Sequence, residues 1–371
     1  MAITVPIPVI TRDKTPSPVP EPNPAAAALV LQGGGALGAF ELGAIECLLD
    51  NGVRPDIVSG VSIGAINAAV LCGHRGHDPK ACLQNLWRDL TTLSIPLQSD
   101  AVNRNMSAFG CPGMYRMRTD YWDFARWTCF YDTSPLLATL EKHIDFDKLN
   151  PDSDAPRLIM TATNVFTGKL EHFDSNAMQI TPNHIRASGS LPPSFSATKA
   201  TAPPRSGGTE HVYWDGGLFD NTPLSMVIDA LQQIDIPARQ LYVISLFPGA
   251  AVSAPENLNE VFARMTTLAF SHKMASDMKR ANKTTEMIKF TMELDKLMEE
   301  RKDDAELQQL KESPGYKVLK GFNNPINIIE ITNPSASGGS DFSAAGIERR
   351  RESGYQITAA TLAEEYASMV P

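Results

Sequence analysis

Short, unbroken apolar runs alternate with stretches of helical periodicity through the first 250 residues. Ala27-Ala28-Leu29-Val30-Leu31 reads as a strand buried on both faces. Residues 39–49 then repeat apolar side chains at helical spacing (Phe40, Ala44, Ile45, Leu48, Leu49), and Asn51-Gly52 ends the helix. Residues 53–59 read as a second strand and 65–72 as an apolar helix. The pattern continues with helices over 81–93, 136–143, 183–188 and 224–231, and with strands over 157–162, 169–173, 211–214 and 241–246. Strand and helix alternating through short turns is the signature of a parallel α/β sheet. The expected fold is a three-layer α/β/α domain with a mostly parallel central sheet and added C-terminal helices.

The two ends depart from this rhythm. Residues 1–26 are proline-rich (Pro6, Pro8, Pro16, Pro18, Pro20, Pro22, Pro24), which predicts an extended arm without a core of its own. The expected catalytic domain covers 27–250. Residues 251–371 are expected to be a helical addition and C-terminal extension packed on it. Within the addition, 258–310 is methionine-rich and helical, with Leu258, Val261, Met265, Leu268, Ala275 and Met278 on one face. Such a face is either ordinary core, a self-association surface, or a cover over a site at the strand ends; the cover is favoured because the segment follows the 241–246 strand. A strand over 326–331 and a closing helix over 358–369 follow.

Composition narrows the partners. Of 371 residues, 33 are Lys or Arg and 42 are Asp or Glu, for a formal charge of −9, which disfavours nucleic acid. The five cysteines (Cys47, Cys72, Cys82, Cys111, Cys129) lack zinc-type spacing, and Cys47 and Cys72 read as reduced core thiols. No run reaches the length of a membrane span, and no basic region followed by an apolar core opens the chain. The expectation is a cytoplasmic protein or one peripheral at a membrane, of open oligomeric state. Residues 109–131 hold eight of the 27 aromatics, interleaved with Arg116, Arg118 and Arg126. They read either as core or as an exposed flap with its arginines interleaved among the aromatics.

Three glycine clusters stand at strand ends: 33–38, 60–64 and Gly216-Gly217. Gly60-Val61-Ser62-Ile63-Gly64 fits a sharp strand-to-helix turn that exposes a serine hydroxyl, with small neighbours so that nothing collides. The competing reading is a glycine-rich turn with an idle serine. Asp215-Gly216-Gly217 would bring a carboxylate to the same edge, where ligands bind in parallel sheets. Ser62 would attack, Asp215 would act as base, and the loop of Gly33, Gly34, Gly35, Ala36 and Gly38 would offer its amides to an oxyanion. A histidine triad is disfavoured by chain order, since His272 is the only histidine after Asp215 and lies mid-helix. A dinucleotide fingerprint at Gly33, Gly35 and Gly38 fails because no acidic residue ends the second strand.

Gly-Gly-Gly-Ala-Leu-Gly, Gly-Val-Ser-Ile-Gly and Asp-Gly-Gly, in that order, resemble the patatin-like phospholipase family, from about Leu29 to Ile244. Thr161-Ala162-Thr163-Asn164, the Ala187-Ser188-Gly189-Ser190-Leu191-Pro192-Pro193 turn, and a tail of Asp341-Phe342-Ser343 with Arg349-Arg350-Arg351 resemble further family stretches. The resemblance implies a serine–aspartate dyad lipid acyl hydrolase needing no metal or cofactor, with transient membrane-interface contact. Leu37 stands where the family often has Arg or Lys, which leaves neutral acyl esters among the expected substrates. The alternatives kept open are a Ser-His-Asp carboxylesterase and an interaction protein with a vestigial site.

Overall fold

A computed structural model describes residues 26–93, 102, 106–234, 236, 239–248, 254–255, 258–320 and 325–369. The proline-rich arm therefore lies outside the described residues. The strands are β1 (Ala26–Leu31), β2 (Ile57–Gly60), β3 (Gly110–Cys111), β4 (Tyr115–Met117), β5 (Tyr131–Asp132), β6 (Arg157–Asn164), β7 (Leu170–Asp174), β8 (Thr198–Thr201), β9 (Glu210–Asp215), β10 (Arg239–Ser245) and β11 (Asn327–Thr332). Eight of them form one sheet in the order β11-β10-β1-β2-β6-β9-β8, with β7 also paired to β6. β11, β10, β1, β2 and β6 run parallel. β7 and β9 run antiparallel to β6, and β8 antiparallel to β9. The three shortest strands, β3 to β5, make a separate antiparallel sheet.

Alternation along β1 divides the core between the two faces of the sheet. Ala27, Leu29 and Leu31 face a cluster shared with helices α1 (Gly38–Asp50), α2 (Ile63–Gly73) and α3 (Pro79–Asp89). Ala26, Ala28 and Val30 face a second cluster, with Leu224, Val227 and Leu231 of the helix Leu224–Gln232. The long helix Leu258–Glu300 adds Met274, Met278 and Ala281 to that cluster. These methionines are core, whereas Val261, Met265 and Leu268 of the expected face are exposed. The periodicity thus located the helix and, in Met278, one residue of its buried stripe.

Helix α1 is buried from Gly38 to Leu49 because a second helix, Ala344–Met369, lies along it. Glycines permit this approach: a Cβ at Gly43 would stand 1.8 Å from the Arg351 carbonyl oxygen, and one at Gly354 2.0 Å from that of Phe40. Arg351 also reaches Glu46 at 2.8 Å. This helix begins fourteen residues before the expected start at 358. The Ser343 hydroxyl accepts from the Gly346 amide at its first turn, an N-terminal cap that stabilises the earlier start. β2 is shorter than expected because Pro55 cannot donate to a ladder and the Asp56 carboxylate takes the Ala27 amide directly.

Candidate active site

Ser62 sits between β2 and α2 with φ 55° and ψ −120°, the only non-glycine at positive φ among the described residues. Such a conformation costs about 1–3 kcal/mol and persists only where packing dictates it. The flanking glycines are demanded by space. A Cβ at Gly60 would lie 2.2 Å from the Gly64 carbonyl oxygen, and one at Gly64 would lie 2.7 Å from those of Leu31 and Gln32. The Ser62 amide donates to the Ser188 hydroxyl at 3.1 Å, which holds the turn from outside the motif.

Asp215 reaches the serine by a route the parallel pattern did not suggest. β2 pairs with β6 only as far as Gly60 opposite Met160. β7 occupies the other flank of β6 from Ile159 to Thr163, so β9, paired from Ala162 to Asn164, takes the flank that β2 has just vacated. β2 points outward along that flank and β9 points inward, so their ends meet tip to tip. Asp215 faces Ala162, two residues past the partner of Gly60, about 7 Å along the strand. The expected shared edge is therefore correct, but an antiparallel strand supplies it.

The Asp215 side chain is 3% exposed. Burial pushes its carboxyl up to about 7, opposed by hydrogen bonds from the Gly217 amide and the Ser62 hydroxyl. The Gly217 bond measures 2.7 Å. The backbone of Asp215 is pinned as well, its amide donating to the Ser190 carbonyl at 3.0 Å. A Cβ at Gly216 would meet the Thr161 hydroxyl at 2.4 Å, so the Asp-Gly-Gly turn lies directly against β6.

The glycine loop is more committed than its sequence suggests. The Gly33 amide donates to the Asn221 side-chain oxygen at 3.1 Å, and the Asn221 side-chain nitrogen donates to the Gly33 carbonyl at 2.9 Å. The Ala36 amide donates to the Gly339 carbonyl at 2.7 Å, and that of Gly38 turns back to Gly35 and Ala36. The N–H groups of Gly33, Ala36 and Gly38, three of the expected oxyanion donors, thus already carry hydrogen bonds within the protein. Among the described residues, the amides of Gly34 and Gly35 carry no hydrogen bond. Gly35 has φ 57°, and a Cβ there would strike the Gly339 carbonyl at 2.5 Å. Leu37 is buried in the core.

Several of these supports were invisible in the sequence. Asn221 lies 188 residues from Gly33, and the Gly338–Asp341 turn is held by Arg350, which donates to the carbonyls of Gly338 (2.7 Å) and Asp341 (2.9 Å). Gln32 donates to the Thr222 hydroxyl at 2.6 Å and accepts from the Leu246 amide at 2.7 Å. Among the described residues no histidine hydrogen-bonds to Ser62 or Asp215. His143 meets Asp89, His184 meets Thr181 and Thr201, and His211 meets Asn164. His272 lies on the long helix, and its side chain is outside the described residues. Among the described residues no cluster of His, Cys, Asp and Glu suits a metal, and no helix is long and apolar enough to cross a membrane.

Parts of the chain are similar to known proteins. A segment of 58 residues, 16% of this chain, is 36% identical to triacylglycerol lipase 5 of Saccharomyces cerevisiae, covering 8% of that protein. A segment of 47 residues, 13% of this chain, is 47% identical to neuropathy target esterase sws of Drosophila melanogaster, covering 3% of it. The matched stretch is thus less than a tenth of either relative's length. Among solved structures, VipD from Legionella pneumophila overlays at TM-score 0.40 with 15% identity, over 92% of this chain and 67% of that one. ExoU in its complex with SpcU from Pseudomonas aeruginosa overlays at 0.29 with 18% identity, over 69% and 52%. The family described as patatin-like phospholipase matches residues 29–228, more than half of the chain and every motif above from β1 to the Asp-Gly-Gly turn. The chain belongs to the patatin-like phospholipase family.

Proposed function

We propose that the protein is a lipid acyl hydrolase working through a Ser62–Asp215 dyad. The observation that carries this reading is the meeting of the strained Ser62 turn with the end of β9, which sets the serine beside the Asp215 carboxyl that burial raises to about 7. An aspartate at its ordinary value is too weak a base for a serine, whereas one near neutrality both accepts and returns a proton. Ser62 Oγ attacks the ester carbonyl carbon while its proton passes to Asp215. The carbonyl oxygen takes up the negative charge beside the free Gly34 and Gly35 amides and the N-terminus of α2. Collapse expels the alcohol, which receives the proton from Asp215 and leaves an acyl-Ser62. Water then gives its proton to Asp215 and attacks the acyl carbon; the fatty acid departs as Ser62 regains its proton.

The substrate class is a lipid or phospholipid acyl ester. The test compares hydrolysis of a p-nitrophenyl acyl ester by the wild type, Ser62→Ala, Asp215→Asn and His272→Ala. Loss in the first two variants with retention in the third supports the dyad. A folded His272→Ala as inactive as Ser62→Ala would point to a histidine triad instead. Absence of activity in the wild type on any acyl ester would favour an interaction protein with a vestigial site.

A further inference from the structure

An exposed aromatic knob is tied by backbone hydrogen bonds to the segment that follows Ser190. The turn Tyr121–Arg126 contains no buried residue, Trp122 is 86% exposed, and Tyr121, Phe124 and Phe130 are exposed with it. Tyr115, by contrast, is buried, so the aromatic segment is core at its base and bare at its tip. The tip is ordered: Tyr121 and Phe124 pack on Trp127 with ring centroids 5.7 and 5.1 Å apart, and the Arg118 guanidinium lies 5.0 Å from the Trp127 ring. Leaving such a cluster in water is unfavourable, and monomeric proteins seldom do so without a binding role.

The knob is joined to the serine by the chain that lines it. A Cβ at Gly189 would stand 3.8 Å from the Ser62 hydroxyl oxygen, and the Ser190 carbonyl holds the Asp215 amide. Immediately beyond, the carbonyls of Pro193 and Ser194 accept from the amides of Phe130 (3.1 Å) and Tyr131 (3.0 Å). Phe166, in the turn after β6, and Leu218 and Phe219, just after the Asp-Gly-Gly turn, are exposed as well.

The arginines among the aromatics are not a cationic patch. Arg116 pairs with Asp132 at 2.9 Å, Arg126 with Asp123 at 3.7 Å, and Arg118 with Asp120. Each positive charge is matched within the segment, and the chain as a whole is at −9. Attraction to anionic lipid needs unmatched basic residues. We infer that the aromatic knob around Trp122 docks the active-site mouth onto an electrically neutral, zwitterionic lipid surface through apolar insertion and not through charge. This rests on the lipid hydrolase reading, because a substrate with its acyl chains in a bilayer brings the mouth and the bilayer together. Trp and Tyr are also the side chains that favour the head-group layer.

The test uses the full chain carrying Ser62→Ala, so that binding is read without hydrolysis, with vesicles of phosphatidylcholine alone or mixed with phosphatidylserine. The expected results are co-sedimentation with phosphatidylcholine, no gain from phosphatidylserine and no loss at high salt. Adding Trp122→Ala and Phe124→Ala should weaken binding roughly tenfold or more, as loss of two inserted aromatics requires. In the Ser62 background, the same pair should lower activity on vesicles far more than on a short soluble ester. Binding that requires phosphatidylserine or disappears with salt would overturn the inference. So would a dimer that the double variant dissociates while vesicle binding persists. Failure to bind vesicles by a protein that still cleaves the soluble ester would sink the docking surface and leave the hydrolase reading standing.

Discussion

Asp215→Asn should make the protein more stable as it makes it inactive. The folded environment raises the Asp215 carboxyl from its ordinary 3.8 to about 7, chiefly by burial. Between those values the unfolded chain binds fewer protons at this site than the folded one. Wild-type stability attributable to Asp215 therefore falls as pH rises through the window and levels off above about pH 7. A tenfold change in proton affinity is worth about 1.4 kcal/mol, so the full loss across the window is about 4 kcal/mol. Asparagine keeps an oxygen for the Gly217 amide and carries no charge to desolvate. The stability of Asp215→Asn relative to wild type should then grow from about 2 kcal/mol near pH 5.5 to about 4 kcal/mol above pH 8. Paired urea unfolding curves across that range read the difference directly, since the other titrating groups are common to both chains. A difference that does not change with pH, or a variant less stable than wild type at about pH 8, would refute the idea that Asp215 is held neutral by its burial.

If Asp215 is the base, hydrolysis of a soluble ester should rise about tenfold per pH unit below about pH 7 and flatten above it; a profile already flat near pH 5 would count against it. Asn221→Ala frees the Gly33 peptide from both of its bonds, at 3.1 and 2.9 Å, and should lower kcat about 10- to 100-fold with little change in KM. Unchanged kcat would show that the loop holds its shape without Asn221. Arg350→Ala removes the donor that closes the Gly338–Asp341 turn and should cost about 1–3 kcal/mol in urea unfolding. An unaltered midpoint would show that the turn closes without it.

Features set by local rules were legible in the sequence. The alternating strands and helices follow from periodicity, and the serine turn follows from the space that Gly60 and Gly64 must leave. Pairings between distant segments were not legible. Nothing local tells that β9 runs antiparallel along the flank β2 vacates, or that Gly339 takes the Ala36 amide. The glycine loop looked like a set of equivalent donors because the amides already used are occupied by residues such as Asn221, 188 positions away. The methionine helix shows the same limit from the packing side. Its apolar residues run along much of its length, and only the position of the sheet selects Met274 and Met278 over Met265. Nor does anything local tell that the arginines at 116, 118 and 126 pair with Asp132, Asp120 and Asp123.

The claim on which the rest depends is that Ser62 is the nucleophile and is activated by Asp215. A long-chain fluorophosphonate reacts with an activated serine and leaves a permanent mass on it, so peptide mapping after labelling tests the claim at one atom. The account predicts a single adduct on the peptide containing Ser62, formed at a rate that follows the ionisation of Asp215 and slowed sharply in Asp215→Asn. An adduct on another residue, or labelling of Ser62 at an undiminished rate in a folded Asp215→Asn protein, would contradict it.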